Sequence, residues 1–483
     1  MKKILVIISI AFCALPLHAY DLAGVNQDGD SLWFNDVSKG YGRNAVEVTY
    51  KGSWYGAVAD EYADTIRIPD FVTIKGKSYE VVGIGEQAFA ECFKLISVTI
   101  PESMLYIREG AFQFCCHMTQ VNYNAKRCAD LTLPSFAPFS FGNVAYGEYV
   151  DDDNDGYSDR FWSAYDLKEV NIGAAVERIP DYMFYGLGGG LQQADLSKRP
   201  YEIVNSKGGV AHINFLGSPK EIGTQAFRAC RLLEDMVIPA SVTSIGQAML
   251  ANCDTLMSVT LPEGIEEIPA YFFSGNRELC NINFPTTLKR INYESFKNCA
   301  KLTNVVLPEG LEVVGPSAFR SCENLQTVQL PSTLTTIDGY GFSDCTALTA
   351  INIPTGVKQI GNYAFEDCTN LGNVTINEGT ELIGNFVFAG CLKLSEGKLH
   401  APAKMPKIQE NTFEGVQNSM QVIVPEESLP EYRADAYWGR FFMPAGTEDI
   451  RSNANTAKKT FTDGVVTIEK DGVRYYIGGQ QAE

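Results

Sequence analysis

Residues 360–376 read IGNYAFEDCTNLGNVTI, and the chain on either side repeats this pattern every twenty-three residues. One column holds Ile222, Ile245, Ile268, Ile291, Val314, Ile337, Ile360 and Ile383, and five residues on stand Phe227, Leu250, Phe273, Phe296, Phe319, Phe342, Phe365 and Phe388. Three further on come Cys230, Cys253, Asn276, Cys299, Cys322, Cys345, Cys368 and Cys391, followed by Leu233, Leu256, Leu279, Leu302, Leu325, Leu348, Leu371 and Leu394. The register holds from Lys220 to Ser395, eight rows, with no residue inserted or lost. A fixed period of this length marks a solenoid. One row is too short to bury its own apolar side, so rows stack into a shared core and each touches only its neighbours.

Each row has two halves. The second, L-x-x-V-x-I-P, as in Leu302–Pro308, alternates apolar and polar residues and is rich in β-branched types. That pattern predicts a short strand, and the proline that closes it ends the ladder. The first half, I-G-x-x-A-F-x-x-C, is too short for a stable free helix, and its glycine predicts a tight corner. Strand plus corner, repeated in one sense, implies a parallel sheet with one short strand per coil.

The motif I-G-x-x-A-F-x-x-C-x-x-L-x-x-V-x-I-P, nearly complete in Ile360–Ile376, resembles the BspA-like leucine-rich repeats of bacterial surface proteins. The resemblance covers most of the chain beyond its leader. It implies a leucine-rich-repeat solenoid, β-rich with α/β-type coils, capped by an N-terminal β segment and a C-terminal closing unit. It also implies adhesion, which the period itself does not show.

Around the eight rows the chain is expected to divide as follows. Residues 1–19 look like a secretory signal: Lys2 and Lys3, an apolar run from Ile4 to Leu17, and a small-residue site at Leu17-His18-Ala19. Lipidation at Cys13 is the less favoured alternative, because the bulky Phe12 precedes it. No later stretch is apolar for long enough to make a membrane helix. Residues 20–80 lie off the period, with strands expected at Ala45–Tyr50, Thr65–Pro69 and Ser78–Val82, and are read as the cap that a first coil needs. The solenoid spans 81–395. It has regular rows at Ile84–Phe89–Cys92 and Ile107–Phe112–Cys115, one more through Leu167, Val170, Ile172, Ile179 and Phe184, and insertions at 124–165 and 188–207. Residues 396–445 close the stack, with Val422–Pro425 and then Tyr432, Trp438 and Phe441 as a strand and an aromatic-rich helix; the resembling family closes in a similar way. In 446–483, Arg451–Lys459 reads as a linker and Val465–Ile468 with Val473–Ile477 as a hairpin about Lys470-Asp471-Gly472.

The first insertion contains Asp151-Asp152-Asp153-Asn154-Asp155-Gly156-Tyr157-Ser158-Asp159. Asp151, Asp153, Asp155 and Asp159, with Gly156 for the turn and the Tyr157 carbonyl, match the front of a calcium loop. Position twelve of such a loop calls for a bidentate Glu and holds Trp162, and no helix signal flanks the run. Calcium site and solvated acidic loop both stand as readings.

Nine cysteines occupy the repeat column, with Cys92 and Cys115 joining the seven named above. Nine equivalent inward positions cannot all pair, so buried free thiols acting as small apolar residues are expected. Zinc is disfavoured, since no C-x-x-C occurs. Catalytic groups are sparse: His117, His212 and His400 are the histidines after the signal, and H-E-x-x-H, G-x-S-x-G and G-x-x-x-x-G-K are absent. The chain carries 39 basic and 58 acidic residues, a net charge of −19 that becomes about −21 without the leader lysines, which argues against nucleic acid and anionic membrane surfaces as partners.

Between the buried strand positions, the outward ones read Ser258/Thr260, Asn281/Asn283, Asn304/Val306, Thr327/Gln329, Ala350/Asn352 and Asn373/Thr375. This lane is almost free of charge and rich in amides and hydroxyls, which both donate and accept. It suits an extracellular glycan or extended peptide, although such side chains also satisfy one another on any exposed sheet. Three functions follow: a non-catalytic surface adhesion module, a polysaccharide-handling accessory protein or hydrolase working from 124–207, and a structural spacer.

Overall fold

The computed structural model describes residues 20–51, 61–90, 92–112, 115, 117–131, 149–150, 160–161, 167–187, 193–194, 203–204, 212–442, 457–462, 465–470 and 473–476. The chain forms two compact units, Met1–Pro262 and Glu263–Glu483.

The first unit opens with Leu22–Val25, Ser31–Asp36 and Ala45–Thr49, paired antiparallel in that order. The alternation in Ser31–Asp36 sends Leu32 and Phe34 fully into the interior, where Val46 and Val48 of the paired strand are buried too. Lys77–Ile84 then runs parallel to Ala45–Thr49 and antiparallel to Phe71–Ile74. Its last residues, Gly83 and Ile84, pair in parallel with Tyr106 and Ile107 of the next coil. Asp64–Arg67 likewise pairs in parallel with Leu95–Ile100. Cap and coils therefore share strands, so position 80 lies inside a continuous strand. Gly83 leaves room there for the ring of Tyr106: a β-carbon would sit 2.1 Å from it, and the ring would have to move.

From Asp64–Arg67 a five-stranded parallel sheet grows through Leu95–Ile100, Gln120–Tyr123, Glu169–Ile172 and His212–Phe215. Both insertions return the chain in register, with Glu169 opposite Gln120 on one side and opposite His212 on the other. The insertions therefore leave the ladder intact, because loop closure costs little more as a loop lengthens. Asp235–Val237 and Ser258–Thr260 pair in parallel after it.

The second unit repeats one coil. Asn304–Val306 pairs with Thr327–Gln329, and Ala350–Ile353, Asn373–Ile376, Lys398–His400 and Gln421–Ile423 form a four-stranded parallel sheet. A second parallel ladder adds to the expected one. It takes two residues per coil at the isoleucine column, from Glu267–Ile268 through Arg290–Ile291, Val313–Val314, Thr336–Ile337 and Gln359–Ile360 to Leu382–Ile383.

The core is the predicted set of columns. Phe296, Phe319, Phe342, Phe365 and Phe388 have no exposed surface. Their rings stack nearly parallel at 4.8, 5.2, 5.4 and 5.7 Å. In the first unit Phe89 stacks on Phe112 and Phe184 on Phe227 in the same way. The nine column cysteines are buried. Each thiol after the first points back one coil: those of Cys299, Cys322, Cys345, Cys368 and Cys391 donate to the carbonyls of Phe273, Phe296, Phe319, Phe342 and Phe365 at 3.1–3.3 Å. The thiol is small and apolar, yet it adds a second, inter-coil hydrogen bond to a buried carbonyl that otherwise accepts only a backbone N–H of its own coil. Burial pushes the Cys322 thiol up to about 12, so it stays protonated.

The corner works differently from the sequence expectation. The glycine after the isoleucine is not the left-handed residue. Gly361 is there for close approach, since a β-carbon would lie 2.5 Å from the Gly339 nitrogen of the preceding coil. The left-handed positions come two and six residues later and hold ordinary side chains, as in Tyr363 (φ 62°) and Asp367 (φ 55°). Each such residue is disfavoured by roughly 1–2 kcal/mol. The stack offsets this with inter-coil bonds: Tyr363, Phe365 and Asp367 donate N–H groups to the carbonyls of Asn385, Val387 and Ala389 at 2.8–3.0 Å.

In the closing segment the aromatic residues are divided between the helix Leu429–Ala434 and a separate 3-10 turn, Trp438–Phe442. Phe413 is two residues late for the period yet stacks on Phe388 at 5.2 Å. The helix Leu429–Ala434 buries Tyr432, whose hydroxyl donates to the Pro402 carbonyl. The Trp438 indole donates to Pro406 and Arg440 donates to the Phe413 carbonyl, covering the last coil. The tail corrects the linker reading: Ala457–Thr462 is a strand, and with Val465–Lys470 and Val473–Tyr476 it makes a three-stranded antiparallel sheet. A third strand gives the hairpin the partner that two strands lack in water.

Candidate functional site

Strand periodicity alone decides which side chains leave the core. In the second unit Val305, Ile351 and Val374 point inward, so Asn304, Val306, Thr327, Gln329, Asn352 and Asn373 stand outward and exposed. Asn281 and Asn283 are exposed and Thr375 is half-buried. Ladder register places Asn304 opposite Thr327, Val306 opposite Gln329, Asn352 opposite Thr375, and Ala350 opposite Asn373.

Few of these groups use one another. Thr327 donates to the Asn304 amide oxygen at 2.6 Å, Asn377 donates to Asn352 at 2.9 Å, and Asn281 donates weakly to Cys280 Sγ at 3.5 Å. Among the described residues the side chains of Asn283, Gln329, Asn373 and Thr375 make no hydrogen bond within the protein. Their donors and acceptors face water at the strand spacing of ~4.8 Å.

The first unit carries the same two columns and uses them differently. Asn122, Asn171 and Asn214 link in a chain, Asn171 donating to Asn122 and Asn214 to Asn171, both at 2.9 Å. Beside it, Ser97 donates to Gln120, and Gln120 and Asn214 both donate to the Glu169 carboxylate. His212 meets Asp235 at 3.1 Å. The ladder is self-satisfied, with Ser97 and Asn171 buried. Ser258 and Thr260 lie at the end of this unit, half-buried and exposed respectively. The sequence reading began the lane at Ser258 and so missed these earlier rungs. The signal was present in Leu167-x-x-Val170-x-Ile172, which has the strand motif in register.

The candidate calcium ligands Asp151, Asp153, Asp155, Tyr157 and Asp159 lie outside the described residues. On either side of them Tyr149 and Val150 pair antiparallel with Phe161 and Arg160. Among the described residues no three His, Cys, Asp or Glu side chains gather as a metal site, and no helix is long and apolar enough to cross a membrane.

With this geometry in place, comparison with known proteins is direct. The family model for the BspA type leucine rich repeat region matches six copies, over residues 71–188, 201–322 and 289–419. Solved structures include a leucine-rich repeat protein from Bacteroides ovatus, 20% identical over 82% of this chain and 99% of that one, with a TM-score of 0.39. A leucine rich cell surface protein from Faecalibacterium prausnitzii is 20% identical over 85% and 97%, with a TM-score of 0.37. The pneumococcal vaccine antigen PcpA is 17% identical over 85% and 96%, with a TM-score of 0.45. No functionally curated protein matches the chain. The repeat columns, their stacking and the family match over most of its length make this chain a member of the BspA-type leucine-rich repeat family.

Proposed function

We propose that the protein is exported and displayed at the cell surface as a non-catalytic binding module. The lane Asn281–Thr375 engages a glycan or protein, and the stacked coils act as rigid scaffold. The observation that carries this reading is the contrast between the units. The amides of the first ladder are spent on one another, whereas those of the second stand on successive short strands with most of their capacity open. Ordered donors and acceptors that need not rearrange lower the entropy cost of capturing a polar ligand. The apolar run at 4–17 and the family membership support export.

The test is the joint replacement of Asn281, Asn283, Asn304 and Asn352 by Ala in the full chain, screened with the parent on glycan and extracellular-protein arrays. All four are exposed, so folding should be retained, as circular dichroism would verify. Loss of the parent's array signal is expected. Unchanged affinity would remove the lane from the binding surface.

A further inference from the structure

The lane of the second unit does not stay neutral to its end. After Asn373 and Thr375 the next strand presents Lys398 and His400, in register with them and both exposed. Gln421 and Ile423 follow on the last strand. From Asn281 to Ile423 the outward positions hold no acid, and Lys398, with the imidazole of His400 beside it, is the one cation among them, in a chain whose net charge is −19. Elsewhere in this unit Lys289, Arg290, Lys297, Lys301, Arg320 and Lys393 each stand within 4.0 Å of a carboxylate. Among the described residues Lys398 and His400 have no such partner, as is also true of Arg277, Lys358, Lys404, Lys407 and Arg433, but Lys398 and His400 alone of these stand on the outward positions of the lane. Two residues apart on one strand, their α-carbons are separated by roughly 6.6 Å, a span across which one bound anion can accept from both side chains.

The ligand class follows from spacing and composition. Rungs recur every ~4.8 Å, close to the length of one sugar in an extended glycan, whereas an extended peptide advances ~3.4 Å per residue and falls out of step. Protein interfaces are anchored by Trp, Tyr and Arg, and the outward positions of this lane hold none of the three. Amides and hydroxyls that both donate and accept match sugar hydroxyls, which do the same.

We propose that this lane takes a glycan carrying an acidic sugar, with the sugar carboxylate seated on Lys398 and His400 and the neutral sugars running back over Asn373, Asn352, Gln329 and Asn304 toward Asn283. The inference rests on the lane being the binding surface, and the experiment separates the two. Oligosaccharides ending in glucuronic acid are immobilised beside their carboxyl-reduced glucose counterparts and probed with three forms of the full chain: the parent, the Lys398→Ala/His400→Ala double variant, and the four-asparagine variant. The acidic member should bind the parent about fivefold more tightly, near the ceiling for an exposed charge pair, and the preference should fade in high salt. The double variant should bind both members alike, at the neutral member's level, while the asparagine variant loses both. Equal binding of the two members by the parent, or a preference that survives the double substitution, overturns the acidic-sugar assignment and leaves the lane standing if the asparagine variant is still silent. Failure of the parent to bind either member overturns both.

Discussion

Replacing Phe319 tests the proposition that coils hold together through their shared ring column. Phe319 has no exposed surface, and its ring lies 4.8 Å from Phe296 and 5.2 Å from Phe342, tilted by 1° and 3°. A buried phenyl side chain removes about 200 Å² from water, worth ~5 kcal/mol at ~25 cal/mol per Å². Alanine keeps its β-carbon and the neighbours relax a little, so Phe319→Ala should destabilise by about 3–5 kcal/mol. Phe319→Leu keeps most of the buried area and loses two ring pairs of ~0.5–1.5 kcal/mol each, so it should destabilise by ~1–3 kcal/mol. The column already accepts this exchange at Leu250, which is fully buried. Urea unfolding followed by circular dichroism gives both values. Because each coil leans only on its neighbours, hydrogen exchange should show protection lost mainly around residue 319. A loss below ~1 kcal/mol for Ala, or equal losses for Ala and Leu, would refute the stacked column as the main support of the coils.

Other consequences are as direct. Alkylation without reductant should label the exposed Cys280 in the native protein and reach the column cysteines only after unfolding; native labelling of Cys345 would contradict the buried column. The raised thiols also set a pH window. An unfolded thiol ionises near pH 8.5, whereas folded Cys253 and Cys322 hold their protons up to about 12. Their stabilising contribution is thus complete below pH ~8.5 and is lost as pH rises toward 12, and Cys322→Ala should flatten that decline relative to the parent. Gly361→Ala should destabilise by ~1–3 kcal/mol through overpacking, while Gly264→Ala, with open space but a φ of 95°, should act only through backbone strain. Calorimetric titration with calcium tests the acidic run Asp151–Asp159: heat at millimolar calcium that vanishes in Asp153→Asn/Asp155→Asn supports a site there, and no heat removes it.

Much of this architecture was legible in one dimension because a solenoid makes every coil solve the same packing problem. Identical environments select identical residues at identical spacing, so the columns from Ile222 to Leu394 announced the fold, the buried thiols and the outward lane. The period broke where the environment changed, at the strand-sharing cap and at both insertions. The tail strand Ala457–Thr462 was missed because its AKKTFT sequence has little apolar alternation, and its pairing partner lies downstream.

What periodicity could not supply is what one coil does to the next. The left-handed residues of the corner sit at Tyr363 and Asp367, not at Gly361, because inter-coil hydrogen bonds impose that backbone and leave no room for a β-carbon at the glycine. The choice of cysteine over alanine is explained only by a carbonyl one coil away. In the same way, Asn171 and Asn283 are equivalent letters on equivalent strands. Only the register of neighbouring side chains decides that the first is spent on Asn122 and that the second is left facing solvent. Sequence sets which residues share a face, whereas hydrogen-bond satisfaction depends on distances between residues far apart in the chain, and those exist only once the coils are stacked.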